Sequence, residues 1–148
     1  MKSIVIYESV HHNNTEKIAK VIAKELGSEL VNVRNMNIDD INKYDLVGFG
    51  SGIYYSKVHK NIKNFIEKIE NADKQKSFIF ITSGRVKKDF SEKFKELLVF
   101  KGFDVISTFS CKGFDTFGPL KLIGGINKGK PNEEDLANAR DFAKSLIK

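Results

Sequence analysis

The chain has 148 residues, of which 41% are hydrophobic and 30% are charged. This length and this share of apolar residues predict one compact domain over residues 1–148 and exclude a globally disordered chain. No apolar run approaches the roughly 18 residues that a membrane-spanning helix needs, and residues 1–7 turn polar too early for a secretory signal. We therefore expect a cytoplasmic protein with no membrane span.

The net charge of +6 comes mostly from lysine, since the only arginines are Arg34, Arg85 and Arg140. A basic balance is compatible with binding to nucleic acid or to a membrane surface. The sequence has no arginine-rich run and no basic amphipathic helix, so a solvated lysine-rich surface is the favoured interpretation. We expect no nucleic-acid partner.

Five short segments rich in branched apolar residues alternate with segments of helical period. This alternation predicts a parallel sheet covered by helices on both faces. The connection over residues 34–44 is too short for a covering helix, so at most two helical turns are expected there, at residues 38–42. The predicted strands are Ser3–Tyr7, Glu29–Val33, Asp45–Gly50, Ser77–Ser83 and Asp104–Cys111.

Apolar residues at helical spacing predict four helices, within residues 18–26, 58–69, 90–98 and 136–147. Their ends carry sequence signals for caps. Two glycines, Gly27 and Gly102, stand where a left-handed closing residue is expected, and two pairs have the spacing of a capping box: Asp89 with Glu92 and Asn132 with Asp135.

Residues 112–131 form an unusually long connection that is rich in glycine and contains Pro119 and Pro131. Loops of this length are usually functional. Its apolar stretch, residues 120–126, is expected to pack over the sheet end or across a subunit contact. The sequence thus leaves a homodimer open.

The first strand leads through residues 8–15 directly into the first helix. A helix start offers unpaired backbone N–H groups and about half a positive charge, and it can hold a phosphate without any basic side chain. The side chains of Ser9, Asn13, Asn14 and Thr15 add donors. The same residues fit an ordinary helix cap, with Asn13 as the capping residue and Glu16 three positions later. Spacing alone leaves both interpretations open.

Two common nucleotide motifs are missing: the Gly-x-Gly-x-x-Gly of a dinucleotide site and the Gly-Lys-Ser/Thr of a nucleotide triphosphatase. The sequence Asn14-Thr15-Glu16-Lys17-Ile18-Ala19 instead resembles the end of the first loop of the flavodoxin family, in which hydroxyl residues precede Gly-Asn-Thr and a helix. Ser9 keeps a hydroxyl near the start of the loop. Asn13 replaces the usual glycine, and asparagine tolerates the positive φ of such a turn. His11 and His12 stand where threonine is common.

The later segments resemble the same family in the same order. Residues 44–51 look like its third strand, and the following loop, with Gly52 and the tyrosines Tyr54 and Tyr55, looks like the loop that embraces a flavin ring. The resemblance implies a doubly wound α/β fold with five parallel strands in the order 2-1-3-4-5 and three α/β/α layers. It also implies one non-covalently bound FMN.

The implied site has its phosphate part on residues 9–15 and its ring between the loops at 51–56, 84–87 and 112–117. Gly52 or a neighbouring peptide is the implied partner of the reactive flavin nitrogen. The expected cofactor-binding residues are Ser9, His11, His12, Asn13, Asn14, Thr15, Ser51, Gly52, Ile53, Tyr54, Tyr55, Ser83, Gly84, Arg85, Lys112, Gly113 and Phe114.

Two uses of the flavin stay open. The resemblance favours electron transfer between redox proteins. The alternative is an FMN-dependent oxidoreductase of the quinone-linked protoporphyrinogen oxidase type, whose second loop also has an Ile-x-Tyr segment followed by histidine, as at Ile53-Tyr54-Tyr55 and His59. A third option is an interaction domain that kept the fold without the flavin.

Few other side chains indicate chemistry. Cys111 is the only cysteine, so one chain cannot form a disulfide and any redox chemistry needs a cofactor. His11, His12 and His59 lie in predicted loops without a carboxylate or thiolate at metal-ligand spacing, so no metal is expected. Five cations are expected near the flavin rim and predict redox partners with acidic docking faces: Lys57, Arg85, Lys87, Lys88 and Lys112.

Overall fold

The three inner strands of the central sheet have side chains that are almost all buried, as expected for strands covered on both faces. The two edge strands are largely exposed or half-buried. A computed structural model describes residues 1–10, 12–115 and 118–147, without the side chains of Gly118, Pro119 and Lys121. The strands are β1 (Ser3–Glu8), β2 (Glu29–Asn32), β3 (Leu46–Tyr54), β4 (Lys57–Val58), β5 (Lys76–Ser83) and β6 (Asp104–Lys112).

In the described residues, three α-helices lie between strands and a fourth follows the last strand, while the connection between β2 and β3 carries only short 3-10 helices. The α-helices are α1 (Asn14–Leu26), α2 (Lys60–Glu67), α3 (Lys88–Phe100) and α4 (Glu133–Leu146). The 3-10 helices are Val33–Asn35, Ile38–Lys43 and Gly118–Ile123.

The main strands pair in parallel in the order β2-β1-β3-β5-β6, which is the predicted doubly wound order. The short connection after β2 carries only 3-10 helices, as expected from its length. The additional strand β4 pairs antiparallel with the end of β3. This hairpin explains why β3 continues four residues beyond the predicted strand end at Gly50.

Each face of the sheet has its own apolar core. On one face, the isoleucines of β1 and β5 and Phe49 of β3 pack with Phe65 of α2 and Phe94 of α3. On the other face, Ile18 and Ile22 of α1 and Ala139 and Ala143 of α4 cover β1, β3 and β5. The helices thus lie on both faces, while the carboxyl ends of the parallel strands open into one set of loops.

Glycine on β3 makes room for aromatic rings on β5. Gly48 is the register partner of Phe78, and Gly50 is the partner of Phe80. A Cβ on Gly48 would lie 2.2 Å from the Phe78 ring, and one on Gly50 would lie 2.0 Å from the Phe80 ring. These contacts leave no space for a side chain at either glycine. The next pair along the same face, Gly52 and Thr82, has no phenylalanine, so the packed core gives way to smaller groups.

The predicted caps are partly confirmed. Gly27 closes α1 with a φ of 65°, and Asn132 and Asp135 form a reciprocal capping box at the start of α4. The predicted capping box of Asp89 and Glu92 is wrong. Because α3 already begins at Lys88, Asp89 lies inside its first turn rather than at the capping position.

Backbone hydrogen bonds hold together the long connection after β6. Asp115 forms an antiparallel bridge with Ile126, and the Gly125 N–H donates to the carbonyl of Leu120. Two side chains of the apolar stretch are exposed to solvent: Leu122 at 90% and Ile123 at 71%. The expected packing over the sheet end therefore does not hold for these two side chains.

Candidate functional site

A cleft of about 360 Å³ lies where β3, β5 and β6 end beside the start of α1. In open α/β sheets, ligands bind beyond the carboxyl ends of the parallel strands. Its walls come from four chain segments that are far apart in sequence. They are residues 14–15, residues 52–54, residues 82–84 and residues 113–115.

The residue at the capping position of α1 does not cap the helix with its side chain. Asn13 occupies the capping position with a φ of 55° and makes no capping hydrogen bond. The capping role for Asn13 is therefore wrong, because its left-handed backbone differs from the extended conformation of a capping residue. The Ser9 hydroxyl accepts a hydrogen bond from the Glu16 N–H at 3.2 Å and holds the loop against the helix. Apart from the Glu16 N–H, the positive end of the helix dipole is available to an anion.

Two buried hydroxyl groups join α1 to the sheet beneath the cleft. Thr15 Oγ1 and Thr82 Oγ1 are 2.7 Å apart, and both residues line the cleft. A hydroxyl has one hydrogen and two lone pairs, so in this pair one donates and the other keeps its hydrogen. That hydrogen is a donor for an oxygen atom bound at the helix start.

The opposite wall combines a buried amide with a glycine. Asn14 Nδ2 donates to the Phe114 carbonyl at 2.8 Å. Its Oδ1 atom is buried and has no hydrogen-bond partner among the described residues. A Cβ on Gly113 would lie 2.5 Å from Asn14 Nδ2, so a side chain there would displace the Asn14 amide. The wall therefore offers a bound molecule an acceptor for an N–H or a hydroxyl.

The β3–β4 hairpin forms the third wall with an unusual turn. Tyr55 and Ser56 both have positive φ, at 50° and 64°, as the two central residues of a type I′ turn require. Such turns prefer asparagine and glycine, so tyrosine and serine here carry backbone strain. Tyr55 is 82% exposed. Tyr54 instead folds back, with its hydroxyl 2.7 Å from where a Cβ of Gly52 would be.

Tyr54 also links the hairpin to neighbouring loops. Its hydroxyl has a backbone hydrogen bond with Val10, and its ring meets the His59 ring edge to face at 5.4 Å. Burial raises the pKa of Tyr54. The Asn61 N–H donates a hydrogen bond to His59 Nδ1 at 3.0 Å, so His59 is the N-cap of α2.

A second cleft of about 860 Å³ adjoins the first on the side of α3. Ile53, Ser83, Gly84 and Asp115 line both clefts. Arg85 and Lys87 line only the second cleft. The shared residues join the clefts into one depression, with the start of α1 in the first cleft and two cations, Arg85 and Lys87, in the second.

Glu8 is a buried carboxylate at the end of β1, 2% exposed. It accepts hydrogen bonds from Asn61 Nδ2 at 2.9 Å, from Asn32 Nδ2 at 3.3 Å and from the Ser9 N–H at 3.2 Å. Arg34 Nε lies 3.5 Å from its Oε2 atom. Burial acts to raise the pKa of Glu8, but the hydrogen bonds from Asn61 and Asn32 and the charge of Arg34 outweigh it, so the pKa is lowered. Glu8 thus ties β2 and α2 to the first loop.

We expect Glu8→Gln to destabilise the protein at neutral pH by about 1–3 kcal/mol, because it removes the charge from several hydrogen bonds and an ion pair. Because the pKa of Glu8 is lowered in the folded protein, its carboxylate stabilises the fold at pH values above its ordinary pKa of 4.5. This contribution is lost as the pH falls through the folded value. Urea unfolding at several pH values measures the effect: the difference between the two proteins should shrink below about pH 4.5. A difference that stays constant down to pH 3 would contradict this role.

The geometry agrees with the comparison to known families. Residues 4–109 match the family model of the flavodoxin domain. The chain belongs to the flavodoxin family. An uncharacterized protein of Methanocaldococcus jannaschii is similar to this flavodoxin-family chain, with 48% identity over 150 residues, covering 100% of the chain and 99% of that protein.

Solved structures show the same fold. Oxidised Flavodoxin 1 from Bacillus cereus superposes with a TM-score of 0.77 at 15% identity, covering 99% of this chain and 97% of that one. A flavoprotein from Lactobacillus acidophilus, solved in complex with FMN, has a TM-score of 0.60 at 21% identity and covers 74% of this chain and 92% of its own. The flavodoxin fold predicted from the sequence is therefore confirmed.

The structure brings most of the predicted flavodoxin-site residues together. Nine of them line the first cleft: Asn14, Thr15, Gly52, Ile53, Tyr54, Ser83, Gly84, Gly113 and Phe114. His12 stacks on Phe114 with ring centroids 4.1 Å apart. Tyr55 and Arg85 line the second cleft. His11, Thr116 and Phe117 lie outside the described residues.

Other predicted residues are not among those that line the first cleft of this flavodoxin fold. The Ser51 side chain points to the α2 face, where its hydroxyl donates to the Gly52 carbonyl at 2.6 Å and accepts from the His59 N–H at 2.9 Å. Lys112 is exposed at the end of β6 and is not among the cleft residues. Ser9 and Asn13 shape the loop rather than line the cleft.

Two cleft residues, Thr82 and Asp115, were not among the expected cofactor-binding residues, although Asp115 lies in the predicted ring loop 112–117. Thr82 could have been found from the alternation along its strand, because it follows Phe78 and Phe80 on one face. Asp115 reaches the clefts through its bridge to Ile126, a pairing without a sequence signal.

The single cysteine of this flavodoxin-family protein is buried. Burial raises the pKa of Cys111 to about 12, so its thiol stays protonated at neutral pH. No cluster of three or more metal-ligating side chains occurs in the described part of the chain. Within the same residues, no helix is long and apolar enough to cross a membrane.

Proposed function

We propose that this protein binds one FMN non-covalently and carries electrons between redox proteins. The observation that carries the proposal is the start of α1, where Asn13 makes no capping hydrogen bond, beside the Thr15–Thr82 hydroxyl pair and at the end of a cleft lined by small residues. This arrangement suits a phosphate joined to a flat, partly polar group. When bound, FMN supplies one-electron and two-electron redox chemistry.

The described side chains fit FMN along its length. The first turn of α1 and Thr15 would hold the phosphate. The orphan Asn14 Oδ1 would accept from a hydroxyl or an N–H, and the glycines at 52, 84 and 113 would let the ring approach the backbone. Tyr54 would close the wall at the hairpin.

A carrier is favoured over an oxidoreductase. The histidine that suggested the oxidoreductase, His59, uses its backbone N–H and Nδ1 to hold Ser51 and the start of α2. The exposed turn at Tyr55 and the cations Arg85 and Lys87 fit contact with a protein surface better than closure over a small substrate. The net charge of +6 further favours partners with acidic faces. A cytoplasmic location stays part of this proposal.

The proposal is tested by calorimetric titration of the FMN-free protein with FMN and with riboflavin. We expect FMN to bind at least about tenfold more tightly, because riboflavin lacks the phosphate that the helix start attracts. Thr15→Ala should remove much of this preference, whereas Thr15→Ser should retain it because it keeps the hydroxyl. Equal affinity of the native protein for the two ligands would contradict the phosphate site.

A further inference from the structure

We propose that the groove between α2 and α3 docks an acidic redox protein that inserts an apolar side chain. The inference rests on the proposed function and adds the place and chemistry of the contact. The groove has about 1200 Å³ of open space, with Val58 on one side and α3 on the other. The side chains of Phe90, Phe94 and Leu97 form its apolar floor.

The groove ends at an exposed aromatic ring. Phe100, the last residue of α3, is 84% exposed and lines the groove together with the floor residues. Single exposed apolar residues are ordinary, but a ring continuous with an apolar groove is typical of a protein contact. Burying it against a partner would remove apolar surface from water.

The rim of the groove is basic. Lys57, Lys60, Lys63 and Lys93 line it, against the single carboxylate of Glu96. Lys63 pairs with Glu67 at 3.8 Å and Lys93 with Asp89 at 3.2 Å, but all four of these side chains are about half exposed or more. Exposed pairs contribute little stability and exchange readily for other carboxylates. Lys57 and Lys60 have no ion-pair partner within the described ranges.

This charge selects the occupant. A second copy of the chain docked on the same groove would bring the same lysines opposite one another, because a two-fold contact joins identical patches. Like charges brought together at an interface disfavour such a dimer. A partner whose apolar side chain is surrounded by aspartate and glutamate complements both the floor and the rim.

The groove is continuous with the proposed cofactor clefts. Ile53, Ser56 and Phe90 line both the groove and the second cleft. The β3–β4 hairpin is therefore a wall shared by the cofactor site and the groove. A protein in the groove would touch this wall, which shortens the path for an electron between the two redox centres.

The test uses an acidic [2Fe–2S] ferredoxin in which gallium replaces iron, a probe that keeps its acidic surface but accepts no electron. Titration is followed by the backbone amide shifts of the isotope-labelled protein as purified. We expect the shifts to concentrate on α2, α3 and the hairpin. Lys57→Glu with Lys60→Glu should weaken binding at least about tenfold, and Phe100→Ser about threefold or more.

Lys20→Glu with Lys24→Glu is the matched control, because it makes the same charge change on α1, at the opposite face of the sheet. It should weaken binding less than about threefold. Equal weakening by both double variants, or amide shifts centred elsewhere, would overturn the proposal. So would a dimer in sedimentation that Phe100→Ser dissociates, since a second copy would then occupy the groove. Because binding is measured without electron transfer, failure to hold FMN would refute the carrier function separately.

Discussion

Phe80→Ala is expected to lower the free energy of unfolding by about 3–5 kcal/mol, as measured by urea denaturation. Phe80 is fully buried, and its ring lies directly over Gly50 on the neighbouring strand. It also stacks near Phe78, with ring centroids 6.3 Å apart. Removing the ring leaves a cavity that the glycine, which has no side chain, cannot fill.

Gly50→Ala tests the other half of this contact. Its new Cβ would overlap the Phe80 ring, which should cost about 1–3 kcal/mol or more. In the Phe80→Ala background the same change should become nearly neutral, because the ring that it strikes is gone. The double variant should therefore be more stable than the sum of the single changes predicts. Additive effects would contradict the glycine–ring packing.

Phe100→Ala is the matched control for Phe80→Ala, because the same side chain is removed from an exposed position. It should change the free energy of unfolding by less than about 0.5 kcal/mol. A loss comparable to that of Phe80→Ala would mean that the removal of any phenylalanine, rather than the loss of packing over Gly50, lowers the stability.

The order of the elements was predictable because it depends on local patterns. Runs such as Ile4 to Tyr7 are apolar throughout, and a short connection such as residues 34–44 limits what can form between two strands. The capping box at Asn132 was likewise predictable, since both partners lie within four residues. Parallel pairing then follows from the alternation of strands and helices.

Pairings across the chain were not predictable in the same way. The hairpin that extends β3 to Tyr54 depends on two residues in left-handed conformations, and neither Tyr55 nor Ser56 signals such a turn. The failure of Asn13 as a cap has the same origin, because its backbone conformation is set by the loop and not by its side chain. In both places the tertiary structure overrides local preference.

The site was predictable as a set of loops but not as a set of contacts. The resemblance placed residues 9–15, 51–56, 84–87 and 112–117 at one end of the sheet. It did not show that the Thr15 hydroxyl meets Thr82, or that Asn14 holds the Phe114 carbonyl, 100 residues away. Such contacts depend on side-chain directions, which sequence spacing does not specify. Ser51 is another example, because its hydroxyl bonds to Gly52 and His59 instead of lining the first cleft.

Fewer of the expected cations lie at the proposed cofactor clefts than the sequence suggested. Of the five expected cations, Arg85 and Lys87 line the second cleft, which also contains the negatively charged Asp115. Lys57 lies on the docking groove, and Lys88 pairs with Glu92 at 3.6 Å. The charges that act most directly on bound FMN are therefore expected to be Arg85, Lys87 and Asp115.

Arg85→Glu with Lys87→Glu should lower the more negative of the two one-electron potentials of bound FMN, because the second electron adds negative charge to the site. A unit charge about 10 Å away in an effective dielectric of about 40 contributes roughly 0.8 kcal/mol, or about 35 mV for a one-electron couple. The double reversal changes four units, which gives about 140 mV before screening. Exposure and salt will reduce this value, so we expect about 50–140 mV at low ionic strength and less at high ionic strength.

Redox titration of three variants separates a local effect from a general one. Lys20→Glu with Lys24→Glu changes the net charge by the same four units on α1, and it should shift the potential much less than the cleft variant does. Asp115→Asn removes one negative charge from the cleft and should shift the potential in the opposite direction. Equal shifts in the two double variants, or a cleft variant that leaves the potential unmoved at low salt, would show that Arg85 and Lys87 do not tune the cofactor.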